Sequence, residues 1–181
     1  MANFSEAVKI VIAQEGGLSD HPNDPGGVTK YGISWFFIRT LKDEPYCHWT
    51  IEDIVNMTVK DAEKIYHRYF WEPRGYELIS NQRIATMLFS LGVLTHPKAP
   101  VMKFQTALNE VDCHGIKLLR EDGVIGNQTV KRLEDSVYNE TINNVIMIFK
   151  YYMWVHFLDK TNKTPKKEVF LRGWLNRLKE L

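Results

Sequence analysis

Cysteine is scarce in this chain. Of 181 residues only Cys47 and Cys113 carry thiols, and no C-x-x-C pair is present. That excludes a disulfide-stapled scaffold and a thiolate metal cluster, and leaves two reduced, partly buried thiols as the expectation, with a single disulfide as the alternative in an oxidising space. Charge of one sign is lacking too: 23 Lys and Arg stand against 22 Asp and Glu, for a net charge of +1. A nucleic-acid binder needs a basic face to displace counterions from phosphates, so that class of partner is not expected. Long apolar runs are absent. The most apolar stretch, Val145 to Leu158, contains Lys150 and His156 and falls short of the roughly 20 residues that cross a bilayer. An integral membrane protein is therefore not expected. The first fifteen residues also lack the basic start and unbroken apolar core of a secretory signal, because Glu6, Lys9, Gln14 and Glu15 interrupt the apolar stripe. The expectation is synthesis in the cytoplasm without a signal peptide. No internal repeat, no Gly-rich phosphate loop and no Ser-His-Asp arrangement is legible. None of the six histidines forms an i, i+4 pair, so neither a metal nor any other cofactor is expected.

What is there reads as helix. Phe4, Ala7, Val8, Val11 and Ile12 recur at helical spacing and define one apolar face. Glu15 continues that spacing, four residues beyond Val11, so its carboxylate projects toward the buried side. Gly16-Gly17 then ends the helix. Residues 18–34 are rich in turn formers, with Val28 to Ile33 as a short strand of an irregular hairpin. Ser34 caps a helix running to about Lys42, and 43–50 form a loop. Thr58 with Asp61 reads as a capping box for the helix carrying Ala62, Ile65 and Tyr66. Further helices are predicted from about Asn81 to Leu94, Ala99 to Val111, from Asn127 as cap, Glu140 to Leu158, and Phe170 to Lys179. Polar residues 159–167 form a loop between the last two. The fold class is mainly α with one small β element near the N-terminus.

Chemistry concentrates at the end of the first helix. A glycosidase needs a carboxyl group that holds a proton until the leaving oxygen takes it, and burial against apolar residues favours that form. Glu15, backed by Val8, Val11 and Ile12, suits this role. An inverting enzyme needs a second carboxylate in a wetter place to activate water. Asp24 is nine residues on, in a loop able to fold back over the helix end, and Asp20 is its rival. The Thr29 hydroxyl can hold the water, and Tyr31 can bond a carboxylate or a sugar. Spacing alone leaves a second account open: a solvent-exposed Glu at a helix end, followed by an ordinary Asp-Pro-Gly-Gly turn. Most of Trp35, Phe36, Phe37, Trp49 and Trp71 are expected in the core, with Trp71 and Tyr31 the best candidates for stacking on sugar.

Gln14-Glu15-Gly16-Gly17, followed by Asp24-Pro25-Gly26-Gly27-Val28-Thr29-Lys30-Tyr31-Gly32-Ile33, resembles the signature of glycoside hydrolase family 108. These are N-acetylmuramidases found as phage lysins and as aids to protein secretion across the wall. Three further segments are similar to the family: Asp61 to Tyr66 with Tyr69-Phe70-Trp71, then Asp122 to Thr129, which resembles a turn in its peptidoglycan-binding module, then Gly173-Trp174-Leu175-Asn176-Arg177. The resemblance implies a lysozyme-like helical fold with a catalytic lobe over 1–95 and a peptidoglycan-binding-like module over 96–181. It implies Glu15 as the acid, with Asp24 and Thr29 as its catalytic partners; Tyr31, Asp20 and Trp71 are the substrate contacts that the residues themselves suggest. It further implies peptidoglycan strands as the substrate, action in the periplasm or wall, and a holin or secretion pathway for export. One departure stands out: after Phe89 the family carries Asp and, after the following Val, Asn, where this chain has Ser90 and Leu94.

Overall fold

The computed structural model describes residues 1–19, 27–43, 45–111, 118–165 and 168–180. The first helix, α1, runs Phe4–Glu15. Asn3 caps it by accepting from the Ser5 N–H at 2.8 Å. Gly16 ends it with φ +79° and ψ −166°, a region open to glycine and costly for any residue with a Cβ. The chain then forms three two-residue strands, β1 (Leu18–Ser19), β2 (Thr29–Lys30) and β3 (Ile33–Ser34). They make one antiparallel sheet in the order β1-β2-β3, with Leu18 opposite Lys30 and Lys30 opposite Ile33. The β element is therefore a three-stranded sheet rather than a hairpin.

Helix α2 covers only Trp35–Ile38. Ser34 caps it as expected, accepting from Phe37 N at 3.1 Å. It stops four residues early because the Thr40 hydroxyl donates to the Phe37 carbonyl at 2.7 Å and the backbone tightens into i→i+3 bonds at Thr40 and Leu41. A short 3₁₀ turn, Tyr46–His48, interrupts the expected 43–50 loop. Cys47 on that turn is exposed, not partly buried, and Cys113 lies outside the described residues. Two capping boxes follow, Thr50 with Asp53 opening α3 (Ile51–Asn56) and Thr58 with Asp61 opening α4 (Val59–Tyr66). Each threonine binds the N3 backbone and each aspartate returns to the cap N–H, satisfying two helix-end donors. The α4 rod widens into a π turn at His67–Trp71, then tightens into 3₁₀ turns at Glu72–Arg74 and Tyr76–Leu78.

Helix α5 (Gln82–Leu94) is capped by Asn81 and buried along most of its length. His96-Pro97 separates it from α6 (Lys98–Val111), which tolerates Pro100 in its first turn. Helix α7 (Asn127–Tyr138) takes Gly126 as its cap, with no side-chain bond, so Asn127 is the first helical residue and not the cap. Helix α8 spans Ile142–Lys163, a turn beyond the predicted end. The polar residues that suggested a loop stay helical because Lys163 pairs with Asp159 at 2.7 Å and Thr161 is buried. Helix α9 is Glu168–Glu180.

Around Phe89 of α5 the core is aromatic. Its ring meets Phe4, Tyr66, Trp71 and Tyr76 at centroid distances of 5.3 to 6.1 Å. These contacts fasten α1 and α4 to α5. A second apolar layer joins α6 to α8 through Phe104 and Phe149. Between the two, Arg74 Nη1 donates to the Gly123 carbonyl at 3.1 Å and Ile125 N donates to the Arg74 carbonyl at 2.7 Å. Among the described residues no helix is long and apolar enough to cross a membrane.

Candidate active site

Glu15 is the last residue of α1, and its side chain is 18% exposed. The apolar face of α1 carries it inward, as its spacing predicts, but its closest partner is a cation. Arg177 of α9 donates from Nη1 to Glu15 Oε1 at 2.6 Å and from Nη2 to the Gln14 carbonyl at 3.5 Å. The guanidinium is itself only 13% exposed. An ion pair this shielded from water is held far more firmly than a surface pair. Helix α9 is fixed to α8 by the Trp174 ring against Phe157, at 5.4 Å, and by buried Leu178.

Over the other oxygen lies the turn between β2 and β3. Tyr31 has φ +51° and Gly32 φ +77°, so the chain makes two left-handed steps there. Gly32 is required for more than its dihedral. A Cβ at this position would come within 2.6 Å of the Tyr66 hydroxyl, 2.8 Å of Glu15 Cγ and 2.9 Å of Glu15 Oε2. The Tyr66 hydroxyl donates to the Tyr31 carbonyl at 2.7 Å, which pins the turn to α4. Burial, reinforced by the charge of Glu15 and opposed by Arg177, pushes the Tyr66 phenol far above its ordinary value. Tyr66 thus remains a neutral donor. Beside the turn opens a cleft of about 450 Å³, lined by Phe37, Tyr69 and Phe70 together with Gly32, Thr40 and His96. Aromatic walls with a few hydroxyl and imidazole groups suit the alternating C–H and O–H faces of a sugar.

The remaining expected residues fall as follows. Thr29 is half-buried on β2, and its hydroxyl donates to the Gly27 carbonyl at 3.2 Å. The Tyr31 ring is half-buried with Lys30 Nζ 5.5 Å from its centroid. Asp20 and Asp24 lie outside the described residues. Trp71 requires a correction: it is 2% exposed, packed against Phe4, Tyr76 and Phe89. The π turn rotates it into the core and leaves Tyr69 and Phe70 to face the cleft instead. Ser90 is fully buried and donates to Gln14 Oε1 at 2.9 Å. It ties α5 to the residue before Glu15 and lines no cleft. Leu94 lies between Val93 and Thr95, both of which line the cleft wall. The exposed Asp122 carboxylate closes its own turn, accepting from Gln105 Nε2 at 3.1 Å and Val124 N at 3.0 Å. Those bonds hold its pKa below the ordinary aspartate value against the opposing effect of burial. Among the described residues no cluster of three or more His, Cys, Asp or Glu is placed to hold a metal ion.

Residues 8–95, just under half of the chain, match the profile of the family described as Glycosyl hydrolase 108. That segment is similar to a glycosyl hydrolase 108 domain. The chain is a glycoside hydrolase, and the matched segment contains Glu15, the sheet, Tyr66 and all of α5 but not Arg177. The chain also resembles, in fold, the solved structure of SagA from Brucella abortus. The TM-score is 0.72 at 21% identity, covering 98% of this chain and 90% of SagA. That likeness fits a mainly α, lysozyme-like fold over nearly the whole length. No curated protein matches the chain.

Sequence reasoning missed Arg177, Tyr66 and Gly32 as parts of the site. Arg177 stood in a C-terminal segment similar to the family, but its partner is 162 positions away. Gly32 carried a local signal, a glycine between Tyr31 and Ile33 at a strand junction, without any hint of what it faces.

Proposed function

We propose that this glycoside hydrolase is an N-acetylmuramidase acting on peptidoglycan. It cleaves the β-1,4 bond between N-acetylmuramic acid and N-acetylglucosamine. Glu15 is the general acid and protonates the glycosidic oxygen. Asp24 is the base that draws a proton from water on the opposite face, and Thr29 holds that water. The outcome is inversion, which needs the two carboxyl groups about 6.5–9.5 Å apart. Action at the wall, in the periplasm, requires a holin or a secretion pathway to carry the chain there, for lysis or for passage of other proteins.

The observation that carries the proposal is the setting of Glu15. It is a shielded carboxylate at a helix end, under a glycine turn that admits no side chain and beside an aromatic cleft. The family match to residues 8–95 supports the same assignment. Wild type and Glu15→Gln are compared on isolated peptidoglycan, with turbidity followed and products identified by mass spectrometry. Wild type is expected to release muropeptides with reducing ends, and folded Glu15→Gln to release none. Anhydro-muropeptides from wild type mean a lytic transglycosylase that uses Glu15 alone. Sedimentation with the wall without release means a binding adaptor. Either result replaces the muramidase assignment.

A further inference from the structure

We propose that Arg177 is a positioning residue that selects which oxygen of Glu15 delivers the proton, so that the C-terminal helix completes the active site. This rests on Glu15 being the acid of the muramidase. The guanidinium contacts both Glu15 Oε1 and the Gln14 carbonyl, 2.6 and 3.5 Å away. It is thereby fixed against the helix end at two points, as a planar fork permits. A guanidinium only donates hydrogen bonds. The Glu15 oxygen that faces it must accept, so a proton taken up by the ion-paired carboxylate is confined to Oε2. That oxygen is turned toward Gly32, where the missing Cβ leaves it room. Among the described residues no hydrogen-bond donor reaches it.

The step then balances. The proton leaves Oε2 for the glycosidic oxygen, and the electron pair of the breaking C–O bond goes to that oxygen. Water adds to the anomeric carbon and yields its proton to the base. Glu15 returns to the ion-paired carboxylate of the resting site, its charge meeting a guanidinium already in place, with no reorganisation needed as the charge develops. Arg177 lies outside the matched 8–95 segment. A chain ending before α9 would keep the acid and lose the group that aims it.

Arg177→Ala and Arg177→Lys are assayed on soluble, uncrosslinked glycan strands beside wild type, with circular dichroism to confirm folding. Arg177→Ala is expected to lose about 10²-fold in kcat with KM within a factor of three. Added ethylguanidinium should restore at least tenfold of that loss, and tetramethylammonium at equal concentration none. Arg177→Lys should fall between Arg177→Ala and wild type. Folded Arg177→Ala with more than half of wild-type kcat overturns the proposal. So does a loss that neither lysine nor ethylguanidinium relieves, which would mean the residue only anchors α9. Wild type that releases no fragments defeats the muramidase assignment, and this inference with it. Active wild type with an indifferent Arg177→Ala defeats this inference alone.

Discussion

Gly32→Ala tests the site with a single methyl group. The added Cβ would lie 2.8 Å from Glu15 Cγ and 2.9 Å from Oε2, and the residue keeps φ +77°. An L residue in that left-handed conformation costs about 1–2 kcal/mol, and crowding a packed site costs about 1–3 kcal/mol more. For a domain of this size each kcal/mol lowers the melting temperature by about 2–4 °C, so a fall of about 4–20 °C is expected. Carbon atoms in contact rest about 3.5 Å apart or more. Glu15 must therefore retreat by roughly 0.7 Å, and misplacements near 1 Å cost about 10²-fold in rate. Gly123→Ala is the control. It has φ +76°, and its Cβ would come within 2.9 Å of Lys98 Cβ, with no catalytic carboxylate nearby. Both variants are expected to melt lower by comparable amounts, measured by calorimetry. At a temperature where both are folded, only Gly32→Ala should lose kcat, by about 10- to 100-fold. Equal activity in the two variants would refute the idea that Gly32 is kept bare to seat the carboxylate.

Trp71→Phe should lower the melting temperature by several degrees, as core truncations of about 0.5–3 kcal/mol do, and leave KM within a factor of two. A rise in KM without a loss of stability would return Trp71 to the cleft wall. Tyr66 and Tyr76 are both buried with phenol pKa values raised mainly by desolvation. The unfolded chain ionises them near pH 10 while the folded chain does not. Their stabilisation is complete below that pH and is lost as pH rises above it. Urea unfolding at pH 8 and pH 11 should show a steep decline in wild type and a shallower one in Tyr66→Phe. Identical slopes would mean the phenol ionises in place. Thr58→Ala removes one half of the capping box that opens α4 and should cost about 1 kcal/mol, read as a shift in the urea midpoint, with kcat unchanged. A change in kcat at unchanged stability would count against the assignment of Thr58 to the helix end alone.

Short-range chemistry governs the features that are legible along the chain. The apolar period of Phe4, Ala7, Val8 and Val11, closed by Gly16, specified α1 and placed Glu15 on its inward side. Thr58 and Asp61 specified the start of α4, Asn81 the start of α5, and His96-Pro97 its end, because caps and prolines act within a turn of the backbone they govern. Where two local signals competed, the reading slipped. Polar residues after Leu158 looked like a loop until an i, i+4 ion pair and the burial of Thr161 kept them helical, and Trp71 looked like a sugar platform until a π turn rotated it into the core. The tertiary structure alone decided what surrounds the carboxylate. Arg177 arrives from the far end of the chain, Tyr66 from α4, and Ser90 reaches Gln14 across the α1–α5 contact. Pairings of this kind carry no periodicity and no fixed spacing, since they depend on how whole helices pack, and the identity of one partner says nothing of the other until the chain between them has folded.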